Sequence, residues 1–207
     1  GGNISSKLGN TVYNVGGTIT LVEGTVKALQ ANVINNRGEG QVNISGGEII
    51  GQNEYQEGST DSYPVIYNND DGGKIKITGG NISSKVAIAI NNKGGGTVEI
   101  SGETTNISSE NGHVISNSAT GQINVKGGIM ETINFATISN RGGILTVEGG
   151  TLNALKSNVI SNSEAGQVNI SGGNIIGQSE YQEGSTVTSP AIWNNDNEGK
   201  IKITGGN

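Results

Sequence analysis

Lys74-Ile75-Lys76-Ile77-Thr78-Gly79-Gly80-Asn81 alternates polar and aliphatic side chains and closes on a glycine pair, and the residues from Lys200 to Asn207 spell the same eight letters. Alternation at period two marks a strand with one buried face. The glycines that follow mark a corner needing positive φ or close backbone approach. Weaker copies stand at 41–47, 97–102, 122–128 and 167–173. One such strand decides little. Eight at near-regular spacing mean a repeat architecture.

Cut just before each glycine corner, the chain falls into rungs beginning at Gly1, Glu23, Gly46, Gly79, Gly102, Gly127, Gly149 and Gly172, with a ninth opening at Gly205. Most rungs have 22 to 25 residues, and those from Gly46 and Gly172 have 33. A larger repeat lies over this one: residues 1–81 align without a gap on 127–207, at an offset of 126. The expected organisation is therefore one solenoid segment over 1–207, built as a five-rung block, 1–126, and a partial second copy, 127–207.

Each rung holds three short apolar-periodic stretches. The first points one aliphatic inward: Ile4, Val26, Ile49, Ile82, Ile107, Met130, Leu152, Ile175. The second carries an aliphatic and, two residues on, an asparagine. The third is the opening motif, with pairs such as Ile75/Ile77 and Ile201/Ile203 inward. Strands this short do not make a stable meander. Stacked one rung above another, each pairs in parallel with its own copy, and every inward column becomes a continuous aliphatic ladder. About eight rungs at ~4.8 Å each give a rod of roughly 40 Å.

These rungs resemble the right-handed parallel β-helix, the fold of the pectate-lyase-like superfamily and of bacterial surface repeat proteins and adhesins. The resemblance covers the whole chain. It implies an all-β solenoid with three short strands per rung, and it leaves activity open because one fold hosts many functions.

The asparagine after the second strand is present in all eight rungs: Asn14, Asn36, Asn68, Asn92, Asn117, Asn140, Asn162 and Asn194. Its amide has donors and an acceptor, so stacked copies are expected to hydrogen-bond along the column, as amide ladders do in cross-β stacks.

Composition narrows the function classes. Glycine is 36 of 207 residues, proline only 2, and 3% are aromatic, so the core must be built from Ile, Val and Leu. With a net charge of −6 and no basic patch, nucleic acid is not an expected partner. There is no cysteine, which removes disulfides and thiolate chemistry. No run approaches the ~18 apolar residues of a membrane span. His113 is the only histidine, which leaves no set for Ser/His/Asp chemistry. Asp70/Asp71 form a carboxylate pair, but the counterparts are Asp196/Asn197, so paired-acid glycoside chemistry is not kept between the copies. No catalytic residue is assigned, and no cofactor is expected. Asp70, Asp71 and Asp196 are hard-oxygen candidates for calcium.

The long rungs carry extra stretches at 51–64 and 177–190, and solenoid insertions leave as loops on one face, often the binding face. Tyr55, Tyr63, Tyr67, Tyr181 and Trp193 lie in or beside them and are the candidate binding residues. Tyr67 and Trp193 fall between the inward Ile and the Asn, so they are expected to face outward.

The sequence opens and closes in phase with the repeat, so the array is expected to continue, covalently or by end-to-end stacking on another copy. The leading expectation is a non-enzymatic structural protein: a segment of an extracellular fibre or bacterial cell-surface stalk whose partner is itself. The alternatives are an adhesin that presents its loops to a glycan or host surface protein, and a polysaccharide-degrading enzyme of the same fold.

Overall fold

The computed structural model describes residues 1–51, 63–178 and 189–207. They form an all-β right-handed parallel β-helix of about 7 turns. Among the described residues, no helix is long and apolar enough to cross a membrane.

Every strand pairing is parallel and in the register that the repeat demands. The second-strand column runs Val12, Ile34, Ile66, Ile90, Ile115, Ile138, Ile160, Ile192. The third-strand column runs Ile19, Val42, Ile75, Val98, Ile123, Leu145, Val168, Ile201. Side chains along a strand alternate between faces, so a one-residue slip would turn each column out to solvent. The long rungs do not disturb this register: Gly51 is opposite Ser84 on one side of the first extra stretch, and Ile66 is opposite Ile90 on the other.

Among the described residues two hydrogen-bonded sheets result, of 12 and 8 strands. The larger collects both the third and the first strand segments. In four places these run on as one 11-residue strand: Gln41–Gly51, Lys74–Ser84, Gln122–Thr132 and Ile144–Ala154. The glycine corner between them is a bulge, with register shifts after Ile44 and Val125, and does not break the strand. Both glycines of a pair lie close to the rung below, and one of them has a second demand. The second takes positive φ, as at Gly47 (81°), Gly80 (92°) and Gly173 (84°). The first lies against a carbonyl of the rung below, where a Cβ on Gly79 would meet Ser45 O at 2.5 Å; Gly102, a single glycine followed by Glu103, has the same place, and a Cβ there would fall on Thr78 O.

The core is a stack of aliphatics, with Ile44, Ile66, Ile90, Ile115 and Ile123 all essentially sealed from solvent. Ile4 and Ile203, both expected inward, are 56% and 60% exposed. They lie in the first and last rungs, which have a neighbour on one side only, and a solenoid residue is buried by the rungs above and below it. A further buried column, Val33, Val65, Ala89, Val114 and Val159, precedes the second-strand isoleucines. Two consecutive side chains turn inward there because the chain is rounding a corner.

The turn after the second strand needs left-handed backbone. Gly38 supplies it at φ 59°, but Ala119 holds the matching place at φ 54°. A Cβ in that region costs ~1 kcal/mol or more. Ala119→Gly is therefore expected to stabilise the rod by up to about 1 kcal/mol, read as a rise in the urea midpoint; an unchanged or lower midpoint would contradict the strain.

Candidate functional site

The asparagine column forms an unbroken amide ladder. Each Nδ2 donates to the Oδ1 of the next rung: Asn14 to Asn36 at 2.8 Å, Asn36 to Asn68 at 2.9 Å, Asn68 to Asn92 at 2.8 Å, Asn92 to Asn117 at 2.9 Å, then on through Asn140 and Asn162 to Asn194. The second amide hydrogen goes to a glycine carbonyl in the residue's own turn, as from Asn92 to Gly96 O (2.7 Å) and from Asn117 to Gly121 O (2.9 Å). Asn36, Asn68, Asn92, Asn117, Asn140 and Asn162 are fully buried. Their donors are all matched, which is what makes a polar column tolerable in a dry interior.

The receiving glycines are a second column that the asparagines require. Gly40, Gly73, Gly96, Gly121, Gly143, Gly166 and Gly199 each close a turn, and a Cβ on any of them would strike a ladder amide. The signal was available in the sequence: a glycine stands immediately before the third strand in every rung.

Separate side-chain contacts join three pairs of rungs at the corner before the second strand. Asn32 Nδ2 donates to Pro64 O at 2.8 Å, and Asn158 Nδ2 to Pro190 O at 2.6 Å. His113 takes the same role with Nδ1 2.9 Å from Ala136 O. A carbonyl only accepts, so Nδ1 carries the hydrogen and Nε2 is the acceptor. The ring meets Phe135 edge-on, with centroids 5.5 Å apart. His113 is thus half-buried. Burial pushes its pKa below the ordinary histidine value, against the opposing pull of the Ala136 carbonyl. A folded pKa below the unfolded one means that stability is full above about pH 6.5 and is lost as pH falls toward the folded value. His113→Asn keeps the donor, as at Asn32 and Asn158, and removes the titration. The variant is expected to lose the drop in melting temperature between about pH 7 and pH 5 that this histidine gives the parent. Identical pH profiles would refute the assignment.

The calcium candidates are occupied by backbone groups. Asp70 Oδ2 accepts from Gly38 N (2.7 Å), Asp71 Oδ1 from Gly95 N (2.8 Å), and Asp196 from Ala165 N (3.0 Å) and Glu198 N (2.9 Å). The bonds from Glu198 and then Ala165 hold the Asp196 carboxyl below the usual carboxylate range. In each case but the Glu198 contact, the carboxylate ties its own turn to the turn of an adjacent rung. Among the described residues no three His, Cys, Asp or Glu side chains gather where a metal would sit.

Of the aromatic candidates, Tyr55 and Tyr181 lie outside the described residues. Tyr63 is exposed at the corner before Pro64. Tyr67 and Trp193 face outward from the 8-stranded sheet, as expected, with Trp193 46% exposed. They share one column five rungs apart, about 24 Å, so they do not form one patch. Tyr13, absent from the expected set, is the closer companion of Tyr67. It pairs in register with Asn35, which pairs with Tyr67. Its placement between Val12 and Asn14 is the same as that of Tyr67 between Ile66 and Asn68, so the sequence held the cue.

Comparison with family models, with curated proteins and with solved structures finds no match.

Proposed function

We propose that the chain is a non-enzymatic structural rod, a segment of an extracellular fibre or bacterial cell-surface stalk that extends by stacking rung on rung and has further copies of itself as partner. The observation that carries this reading is the joint between the two sequence blocks. Across it Ile115 pairs with Ile138, Gln122 with Ile144, and Asn117 Nδ2 donates to Asn140 Oδ1 at 2.8 Å. The joint has the same pairing as any step within a block. A block therefore stacks on a block with no special interface, and the number of blocks sets only the length. The asparagine ladder runs along the rod axis, where a fibre bears load, and joins each rung to the next.

Electron microscopy and fibre diffraction of the protein test this. Filaments with a meridional spacing of about 4.8 Å are expected. Short monodisperse particles at every concentration would overturn assembly by stacking.

The outward aromatics favour a second reading, an adhesin that uses the rod as a scaffold to present a glycan- or protein-binding face. Glycan-array binding that falls with Tyr67→Ala or Trp193→Ala would support it, and an array with no signal would sink it.

A further inference from the structure

The first three rungs of the 8-stranded sheet carry a compact outward cluster of Tyr13, Asn35, Arg37, Tyr67 and Asp70. Tyr13 and Tyr67 stand two rungs apart on one column, about 9.6 Å along the axis, with Asn35 in register between them. Tyr13 is 54% exposed. Arg37 Nη1 donates to Tyr13 OH at 3.3 Å, and its Nε lies 3.8 Å from Asp70 Oδ2. Asn35 Oδ1 is buried and has no hydrogen-bond partner. Such an acceptor costs stability unless something donates to it.

We propose that this face binds a neutral, extended, β-linked polysaccharide lying along the rod axis, with the Tyr13 and Tyr67 rings as stacking platforms. The proposal rests on the adhesin reading and gives it a site and a ligand class. Flat rings on a flat sheet suit the apolar faces of pyranose rings. Two rungs match about two sugar units of an extended chain, so alternate units meet a ring. The unit between them sits over Asn35. A sugar hydroxyl that reaches Asn35 Oδ1 there supplies the missing donor.

Two other ligand classes fit less well. A polyanion would need unopposed cations, but Arg37 is held by Tyr13 and Asp70, and the chain carries a net charge of −6. A protein partner would need an apolar centre to bury, whereas Asn91, Ser116 and Ser139 continue the Tyr13–Tyr67 column.

Titration calorimetry with cellohexaose and chitohexaose, and with heparin as the charged contrast, tests the site. Binding of at least one neutral hexasaccharide is expected. Tyr13→Ala and Tyr67→Ala should each weaken it about tenfold, while Tyr13→Phe and the distant Trp193→Ala should change it less than about twofold. Melting temperatures of the variants should stay near that of the parent, because Tyr13 is exposed and Tyr67 faces outward. If a hexasaccharide binds and both tyrosine variants keep full affinity, this site is wrong while the adhesin reading survives. If neither neutral sugar binds and an array of glycans is also silent, both fall. Heparin binding in preference to the neutral sugars would also overturn the proposal.

Discussion

Asn117→Asp is expected to destabilise the rod by about 4 kcal/mol at neutral pH, the cost of leaving a buried charge without a partner. The two side chains are nearly the same shape, so packing is not the issue. In the parent, Asn117 Nδ2 donates to both Gly121 O and Asn140 Oδ1. A carboxylate puts an acceptor where those donors were, facing two carbonyl oxygens in a site closed to water. Such a carboxyl has a folded pKa above its unfolded value. The variant should therefore regain stability as pH falls through that folded pKa, and approach its best below about 4, where the acid is protonated in both states. One donor is then restored, not two, so recovery is incomplete. The same change at Asn194, exposed in the last rung, should cost under about 1 kcal/mol. Urea melts at about pH 4 and pH 7 check both sites, and equal losses at Asn117 and Asn194 would remove the ladder as the cause. Because a solenoid's stability is a sum over neighbouring rungs, the break at rung five should also split the melt into two transitions.

What was legible in the sequence follows from how the repeat records each requirement. The aliphatic columns and the asparagine ladder use one residue type at one place in every rung, so periodicity alone exposes them. The corner contacts were hidden because among the described residues they recur in three rungs only, use Asn32 and Asn158 but His113, and accept on Pro64, Pro190 and Ala136, so they share only a geometry. The valine column before the second strand was hidden for another reason. Alternation assigns Val33 and Val114 outward, and only the bend of the chain brings both neighbours inside. Asp70 and Asp196 hold backbone N–H groups, a role the sequence reading did not assign them, because a turn that must hold such groups selects the same oxygen-rich residues that a hard cation does. The glycine corner was read correctly as positive φ or close approach. In the glycine pairs the structure puts close approach on both glycines and positive φ on the second.

Close approach without positive φ makes Gly102→Ala, at a corner with a single glycine, the most damaging small substitution expected among the described residues, at about 3 kcal/mol or more. Its Cβ would fall on the carbonyl carbon and oxygen of Thr78, one rung below, and 2.9 Å from Thr105 Oγ1. Backbone has nowhere to move. Ser101 N donates to Ile77 O at 3.0 Å on one side of the corner, and Thr105 is in register with Gly80 on the other. Both fix the rung spacing at which the clash occurs, so relief means losing pairing along the whole corner. Gly9→Ala is the contrast. The nearest atom to a Cβ there is Ser6 Oγ at 3.9 Å, and the site has no positive φ. Replacing a glycine in such a place restricts the unfolded chain and should stabilise by about 0.5 kcal/mol. Thermal melts of the two alanine variants should therefore move in opposite directions. If both moved down together, the general flexibility of glycine would explain the corner as well as close approach does. Opposite shifts would mean that the first glycine of each corner sets how closely one rung can lie on the next.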